Sequence, residues 1–349
     1  MSIVSQMGQV QNILILGMGG NVSQGIFKAL KGISDINLHI IGACISETSS
    51  GLYLCDEAFI SPYAKDESFI PWYIDICHRN NITMSFTGVE ENIEALLKGK
   101  DRITQSVETK FIYPDQETWN IGTDKYNTCE WLKKNECQYP DYALASDDSE
   151  ITRLIERYGF PLLAKPRKGK SSVGVIKINS LRDLKEILGR SDYILQEYIG
   201  DDNSEYTVGC YFNKTGELSA HIIMHRYLNR GGTSIAEVVP DNEISREIMK
   251  IIECLHATGP LNFQFRKRKD GTPVCFEWNV RYSGTTAIRN HFGFRDVEAG
   301  LREYLFNEDI SDCFQIRSGS VVRYEEEQYF DNAKFIDLKN RIIGNIGYM

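Results

Sequence analysis

Residues 261–284, LNFQFRKRKDGTPVCFEWNVRYSG, constrain this chain more than any other stretch. The Asp270-Gly271 pair tolerates the positive φ of a tight turn, so the segment predicts a two-strand hairpin. Side chains alternate across a strand. Leu261, Phe263 and Phe265 then share one face of the first strand, with Asn262 and Gln264 on the other. In the second strand Val274, Phe276 and Trp278 share a face opposite Glu277, Asn279 and Arg281. Pairing the apolar faces points Gln264, Glu277 and Asn279 the same way. A hard cation such as Mg²⁺ takes such oxygens together with substrate phosphates. Taken alone, the pattern better describes an ordinary hairpin with a solvated polar face, and the rest of the chain shifts that balance.

The 349 residues are enough for about two or three domains. A net charge of −9 argues against a nucleic-acid footprint. No apolar run approaches the ~18 residues of a membrane span. The N-terminus lacks the basic region of a secretory signal. Nine scattered cysteines, with no C-x-x-C pair, predict reduced thiols and a cytoplasmic protein.

Residues 12–30 read as strand, glycine turn and helix, and a second strand follows at 38–43. This βαβ opening predicts a Rossmann-like parallel sheet. Gly17 and Gly19 begin a dinucleotide fingerprint, but Val22 stands where its third glycine belongs. A tight turn needing small residues explains them at least as well. Further short strands are expected at 59–60, 84–86 and 111–113, with helices at 69–78 and 90–97. Asp124 caps a helix over 124–134 and places Lys125 in its first turn. That lysine opposes the helix dipole and suits a phosphate.

Motifs crowd after residue 160. An apolar strand ends on Lys165, and a loop runs through Lys168, Gly169, Ser171, Ser172 and Gly174. Backbone N–H groups and cations in such a loop suit phosphates. Val175 stands where a P-loop lysine would be, so the loop is not a P-loop. A solvated basic hairpin tip is an equal alternative. Ser180 caps a short helix, and residues 193–199 are a strand. Strands are expected at 205–211 and 218–225. An irregular stretch at 226–233 (RYLNRGGT) reads as a loop over a site. A helix at 241–256 leads into the hairpin. A helix at 295–304 and strands at 318–324 and 342–346 close the chain. The six histidines are dispersed, and His225, beside Arg226, is the one that merits a test.

A lysine strand, a glycine loop, a Gln-Glu-Tyr-Ile strand and a Gln…Glu-x-Asn-x-Arg hairpin after a Rossmann-like half resemble the ATP-grasp superfamily. The likeness is to its carbamoyl-phosphate-synthase-like branch. It spans residues 12–305 and rests mainly on Asn262-Phe-Gln264 and Phe276-Glu-Trp-Asn-Val-Arg-Tyr-Ser-Gly284. The resemblance implies an α/β and α+β protein: a Rossmann-like pre-ATP-grasp domain, 1–114, followed by a two-lobed ATP-grasp fold. The lobes would be 115–192 and 193–309, with a C-terminal segment, 310–349, packing on the grasp domain.

By the same resemblance, Lys125 and Lys165 touch ATP phosphates and the loop from Lys168 to Gly174 covers them. Gln196, Glu197, Tyr198 and Ile199 line the adenine pocket, and Glu205 meets the ribose. Gln264, Glu277 and Asn279 hold Mg²⁺ (or Mn²⁺), two ions in all. Arg281 faces the transferred phosphoryl group. Blander roles exist: Glu205 paired with a nearby lysine, Arg281 only bracing Glu277, Tyr198 in the core. The implied activity is an ADP-forming ligase that activates a small carboxylate, an amino acid for example, as an acyl phosphate and joins it to an amine. Partners are then small carboxylate and amine substrates, with no nucleic acid or membrane, and a homodimer is allowed. Arg226, Arg230 and Gly231-Gly232 are candidates for the acceptor side, since guanidinium forks suit carboxylates. The Gly17–Asn21 loop is a further candidate for substrate contact. The chain is too short for a duplicated carbamoyl phosphate synthase. Phosphorylation of bicarbonate or carbamate, a nucleotide-binding regulator and a nicotinamide oxidoreductase remain the competing functions.

Overall fold

A computed structural model describes residues 9–169, 173–200, 205–229 and 231–344. The first domain holds a parallel sheet of β1 (Gln11–Leu16), β2 (Leu38–Cys44), β3 (Glu57–Ile60) and β4 (Ile82–Thr87), in the order β3-β2-β1-β4. β1 is apolar from Ile13 to Leu16 because both its faces are covered there. Ile13 and Ile15 pack under Ile26 and Leu30 of helix Asn21–Lys31. Leu14 and Leu16 pack under Trp72, Tyr73 and Ile76 of helix Phe69–Arg79 on the other side. The strand expected at 111–113 is absent: one parallel bridge, Met84 to Lys110, replaces it. Phe111 and Tyr113 instead pack edge to face against each other, 4.9 Å apart.

Next comes an antiparallel sheet of β5 (Tyr142–Leu144), β6 (Leu162–Pro166), β7 (Ile176–Ile178) and β8 (Tyr193–Glu197), in the order β5-β8-β6-β7. Helix Asp148–Tyr158 covers it through Ile151 and Leu154. A larger antiparallel sheet follows, of β9 (Glu205–Phe212), β10 (Leu218–Asn229), β11 (Gly232–Val238), β12 (Gly259–Lys267), β13 (Pro273–Asn279) and β14 (Gly319–Val322). Its order is β13-β12-β9-β10-β11-β14. Helix Asn242–Cys254 seals one face with Ile244, Ile248 and Ile251 against Val208, Phe263 and Phe265. Ile288 and Phe292 meet Tyr211 and Ile222 on the other.

Three further expectations are corrected. The described part of 226–233 is not an irregular loop: β10 runs to Asn229 and β11 begins at Gly232, with Tyr227 paired to Ile235. Gly231, at φ +76, allows the sharp reversal. Arg230 lies outside the described residues. Residues 342–344 of the strand expected at 342–346 end a helix, Asn332–Gly344, and residues 345–346 lie outside the described residues. Phe335 stacks on Tyr53 at 5.5 Å, and Ile342 joins the first-domain cluster with Ile13. Two helical turns separate these residues, and that period places them on one face. The segment expected to pack on the grasp domain therefore divides. β14 joins the large sheet beside β11, and the helix lies against the first domain. No helix among the described residues is long and apolar enough to cross a membrane.

Candidate active site

The β12–β13 hairpin sets Asn262 opposite Asn279 and Gln264 opposite Glu277. A register shift then intervenes, and Phe265 faces Cys275 instead of Phe276. The extra residue of a bulge re-aims the side chains after it. Trp278 and Cys275 join Phe263 and Phe265 in the core, whereas Phe276 turns to the opposite side. The expectation that Val274, Phe276 and Trp278 share the core face thus fails at the bulge. Alternation alone predicts an unbroken ladder and carries no sign of the inserted residue.

Gln264, Glu277 and Asn279 line one cavity of about 320 Å³ between the two sheets. Lys165, at the end of β6, faces them from the smaller sheet and is 7% exposed. Its Nζ lies 4.8 Å from the Phe276 ring, which gives the ammonium a cation–π partner. Burial pushes the Lys165 pKa down to about 8, against the attraction of Glu277, and Lys125 pushes in the same direction as burial. Phosphate oxygens entering the cavity would reverse this, so nucleotide binding is expected to take up a proton above pH ~8. The KM for ATP should then rise by up to about tenfold per pH unit above that point. A KM flat from pH 7 to 10 would contradict it.

Lys125 donates from Nζ to the Gly169 carbonyl at 3.0 Å. Asp124 caps its helix by accepting from Tyr126 N. The same carboxylate takes a two-pronged pair from Arg167, at 3.1 and 2.8 Å, which ties the glycine loop to the helix start. Arg167 was not among the expected site residues. Lys168 is exposed. Ser171 and Ser172 lie outside the described residues. Gly174, at φ +76, has no room for a side chain: a Cβ would sit 2.8 Å from Pro166.

Gln196, Glu197, Tyr198 and Ile199 all line the cavity. The carboxylate of Glu197 turns to Arg268 and accepts from Asp141 N at 2.8 Å. Its side chain therefore braces the junction of the sheets. Lys177 Nζ sits 4.2 Å from the Tyr198 ring, and Gln196 donates to Cys129 Sγ. Glu205 accepts from Arg226 at 2.5 Å and from Arg266 at 3.4 Å. Its partners are two arginines, not the lysine of the blander reading. Arg266 was also missed, although it stands two residues beyond Gln264 on the same face.

Arg281 lines the cavity but is engaged elsewhere. Nε and Nη2 donate to Glu90 Oε1 at 3.0 and 2.7 Å, and Nη1 donates to the Tyr282 carbonyl. Glu90 opens the helix that follows β4, so this pair joins the first domain to the site. The blander role for Arg281, a brace on Glu277, gives way to this pair with Glu90. The Gly17–Gly20 turn does not line the cavity, but Asn21 and Val22 just after it do. Gly17, at φ +74, is a packing glycine, since a Cβ there would meet Val89 at 2.3 Å. His225 sits between Tyr206, tilted at 4.7 Å, and Tyr227, edge to face at 5.1 Å, and is not in the cavity wall.

The donor chemistry can be tested against a metal. Among the described residues no group of three or more His, Cys, Asp or Glu gathers as an all-protein cage. One carboxylate and two amides instead share a wall with Lys165 opposite. This set suits Mg²⁺, which keeps few protein ligands and completes its shell with phosphate oxygens and water. It suits zinc poorly.

A family profile described as a RimK-like ATP-grasp domain matches residues 122–211, and one described as ATP-grasp in the biosynthetic pathway with Ter operon matches 190–327. The chain carries an ATP-grasp domain. Residues 13–112 match the PylC-like N-terminal domain. The ATP-grasp chain is 34% identical over 92 residues to a D-alanine–D-alanine ligase of Dechloromonas aromatica, covering 26% of this chain and 31% of that protein. It is 27% identical over 199 residues to the carbamoyl phosphate synthase large chain of Thermoanaerobacter pseudethanolicus, covering 51% of this chain and 18% of that one. The chain thus spans less than half the length of these curated relatives. Its fold matches that of an L-amino acid ligase from Bacillus licheniformis, with TM-score 0.66 and 16% identity over 88% of this chain and 77% of that one.

Proposed function

We propose that this ATP-grasp chain is an ADP-forming ligase that activates a small carboxylate, an amino acid for example, and couples it to an amine. The carrying observation is one cavity with Gln264, Glu277 and Asn279 on one wall and Lys165 on the other. Two Mg²⁺ (or Mn²⁺) ions held by those three side chains would supply Lewis-acid charge to the triphosphate. Resemblance to a D-alanine–D-alanine ligase and to the fold of an L-amino acid ligase supports the substrate class. Domain limits of 1–114 and 115–309 and a cytoplasmic location belong to the same reading.

A carboxylate is a poor electrophile. Its oxygen attacks the γ-phosphorus, the bond to the β-phosphate oxygen breaks, and ADP leaves. The acyl phosphate is then attacked at carbon by the neutral amine. Inorganic phosphate leaves, and the amine's extra proton passes to solvent or to phosphate. Phosphoryl transfer needs position and neutralised charge more than covalent help. Lys165 supplies fixed charge beside the phosphates. The Gln196–Ile199 backbone offers an adenine hinge, and Glu205 is held ready for a ribose hydroxyl by its two arginines. Arg226 and Arg281 face the remaining space, where Asn21 of the first domain and Ser283 also line the wall.

ADP release should depend on both an acid and an amine, and screening amino-acid mixtures with Mg-ATP would show it. Arg226→Ala is expected to raise a substrate KM about tenfold or more, since a charged hydrogen bond is removed. Nucleotide binding with no ADP release under any mixture would leave a regulator and end the ligase reading. An unchanged substrate KM in Arg226→Ala would remove that residue from the acceptor side.

A further inference from the structure

Arg289 is fully buried and belongs to the short helix Thr286–His291, behind the cavity wall. Its Nη2 donates to Asp296 Oδ2 at 2.5 Å, and both side chains are 0% exposed. Nη1 points at Ser283 Oγ, 3.4 Å away, and at Asn262 Oδ1, 3.5 Å away. Space for this group is reserved in β9. A Cβ on Gly209 would lie 2.5 Å from Nη1 and 3.1 Å from Cδ. The cluster is not fully satisfied, because Arg289 Nε, Asp296 Oδ1 and Asn262 Nδ2 are buried with no hydrogen-bond partner.

Stability does not account for such a pair. Buried ion pairs replaced by apolar groups of similar volume often leave a fold as stable or more so. Orphaned buried polar atoms call for another reason. The two contacts of Nη1 supply one. Asn262 is the cross-strand partner of Asn279 and accepts from Thr207 at 2.9 Å. Ser283 lies two residues beyond Arg281, lines the cavity, and accepts from Thr285 N. One rigid guanidinium thus touches both the rung that carries Asn279 and the loop that follows Arg281.

We infer that Arg289, anchored by Asp296, is a positioning residue that sets the Asn262–Asn279 rung and the Ser283 loop at a fixed spacing, and so holds Asn279 ready for metal. This rests on the proposed metal-dependent nucleotide site, but not on the identity of the acid and amine.

The test is a Mg²⁺ titration at fixed AMP-PNP, read by tryptophan fluorescence. Trp278 adjoins Asn279 in sequence, and Trp131 packs on it at 5.0 Å. The double variant Arg289→Met/Asp296→Leu removes both charges at once. It should melt at or above the wild-type temperature, bind nucleotide without metal as the wild type does, and need about tenfold more Mg²⁺. Arg289→Lys should recover part of the difference. Gly209→Ala keeps the charge but displaces the guanidinium, and should raise the Mg²⁺ requirement in the same direction. It also decides the matter should the double variant fail to fold. A wild-type Mg²⁺ requirement in the folded variants would overturn the inference, as would wild-type nucleotide binding that ignores Mg²⁺. A wild type that binds Mg-nucleotide but ligates no acid to any amine would end the ligase reading alone, and the titration would still decide the role of Arg289.

Discussion

Glu277→Gln is expected to lower ADP release by about 10²–10³-fold while leaving metal-free nucleotide binding intact. Glu277 is the one carboxylate among the three candidate oxygen donors of β12 and β13, so a divalent ion held there would meet its fixed negative charge at Glu277. Gln264 sits directly across the ladder and Asn279 two residues along. Both amides add oxygens but no charge. The substitution preserves shape and removes one charge, so its effect reads electrostatics and not packing. Gln264→Ala and Asn279→Ala should each cost less than Glu277→Gln. Steady-state ADP release at saturating ATP and Mg²⁺ measures the series. Equal losses at all three positions would show that geometry, not charge, dominates the wall.

Lys165→Met is expected to have two opposed effects. It should raise the KM for ATP by about 10²-fold or more, because a cation facing the phosphates is lost. It should also stabilise the ligand-free protein. The folded pKa of Lys165 is about 8, against an ordinary value of 10.5, and burial is the main cause. Below pH ~8 the native protein holds a charged ammonium that the unfolded chain solvates better. That shift corresponds to about 3 kcal/mol at neutral pH. Between pH ~8 and ~10.5 the unfolded chain binds more protons than the native one, so this contribution makes stability rise with pH. Lys165→Met should remove the rise and melt higher at pH 7. Thermal melts from pH 7 to 10.5 check both signs. A Lys165→Met protein less stable than wild type at pH 7 would contradict the buried-charge account.

Much of this site was legible from alternation and punctuation. Asp270-Gly271 fixes the hairpin turn, and a period of two then sends Gln264, Glu277 and Asn279 to one face. Lys165 was legible as the polar end of an apolar run that becomes β6. Phe276 was not, because an apolar residue in an apolar register gives no hint of a bulge. Its move to the cavity supplies the ring under Lys165. The partner of Arg281 was equally hidden, since Glu90 lies 191 residues away and only tertiary packing brings it there. Arg226 and Glu205 were each noticed, but their pairing follows from the β9–β10 register, which sets Arg226 opposite Glu205. Residues 342–346 misled because a short β-branched run suits strand or helix alike. Contact of Ile342 with the first-domain core goes with helix for residues 342–344.

The central claim is that Gln264, Glu277 and Asn279 grip a divalent ion together with the triphosphate. Anomalous scattering from crystals grown with Mn²⁺ and an ATP analogue tests it most directly. The account predicts Mn²⁺ peaks at about 2.0–2.3 Å from a Glu277 oxygen, with the Asn279 amide oxygen in the shell and Lys165 against the phosphates. Mn²⁺ bound only by the nucleotide, with Glu277 turned away from it, would contradict the account.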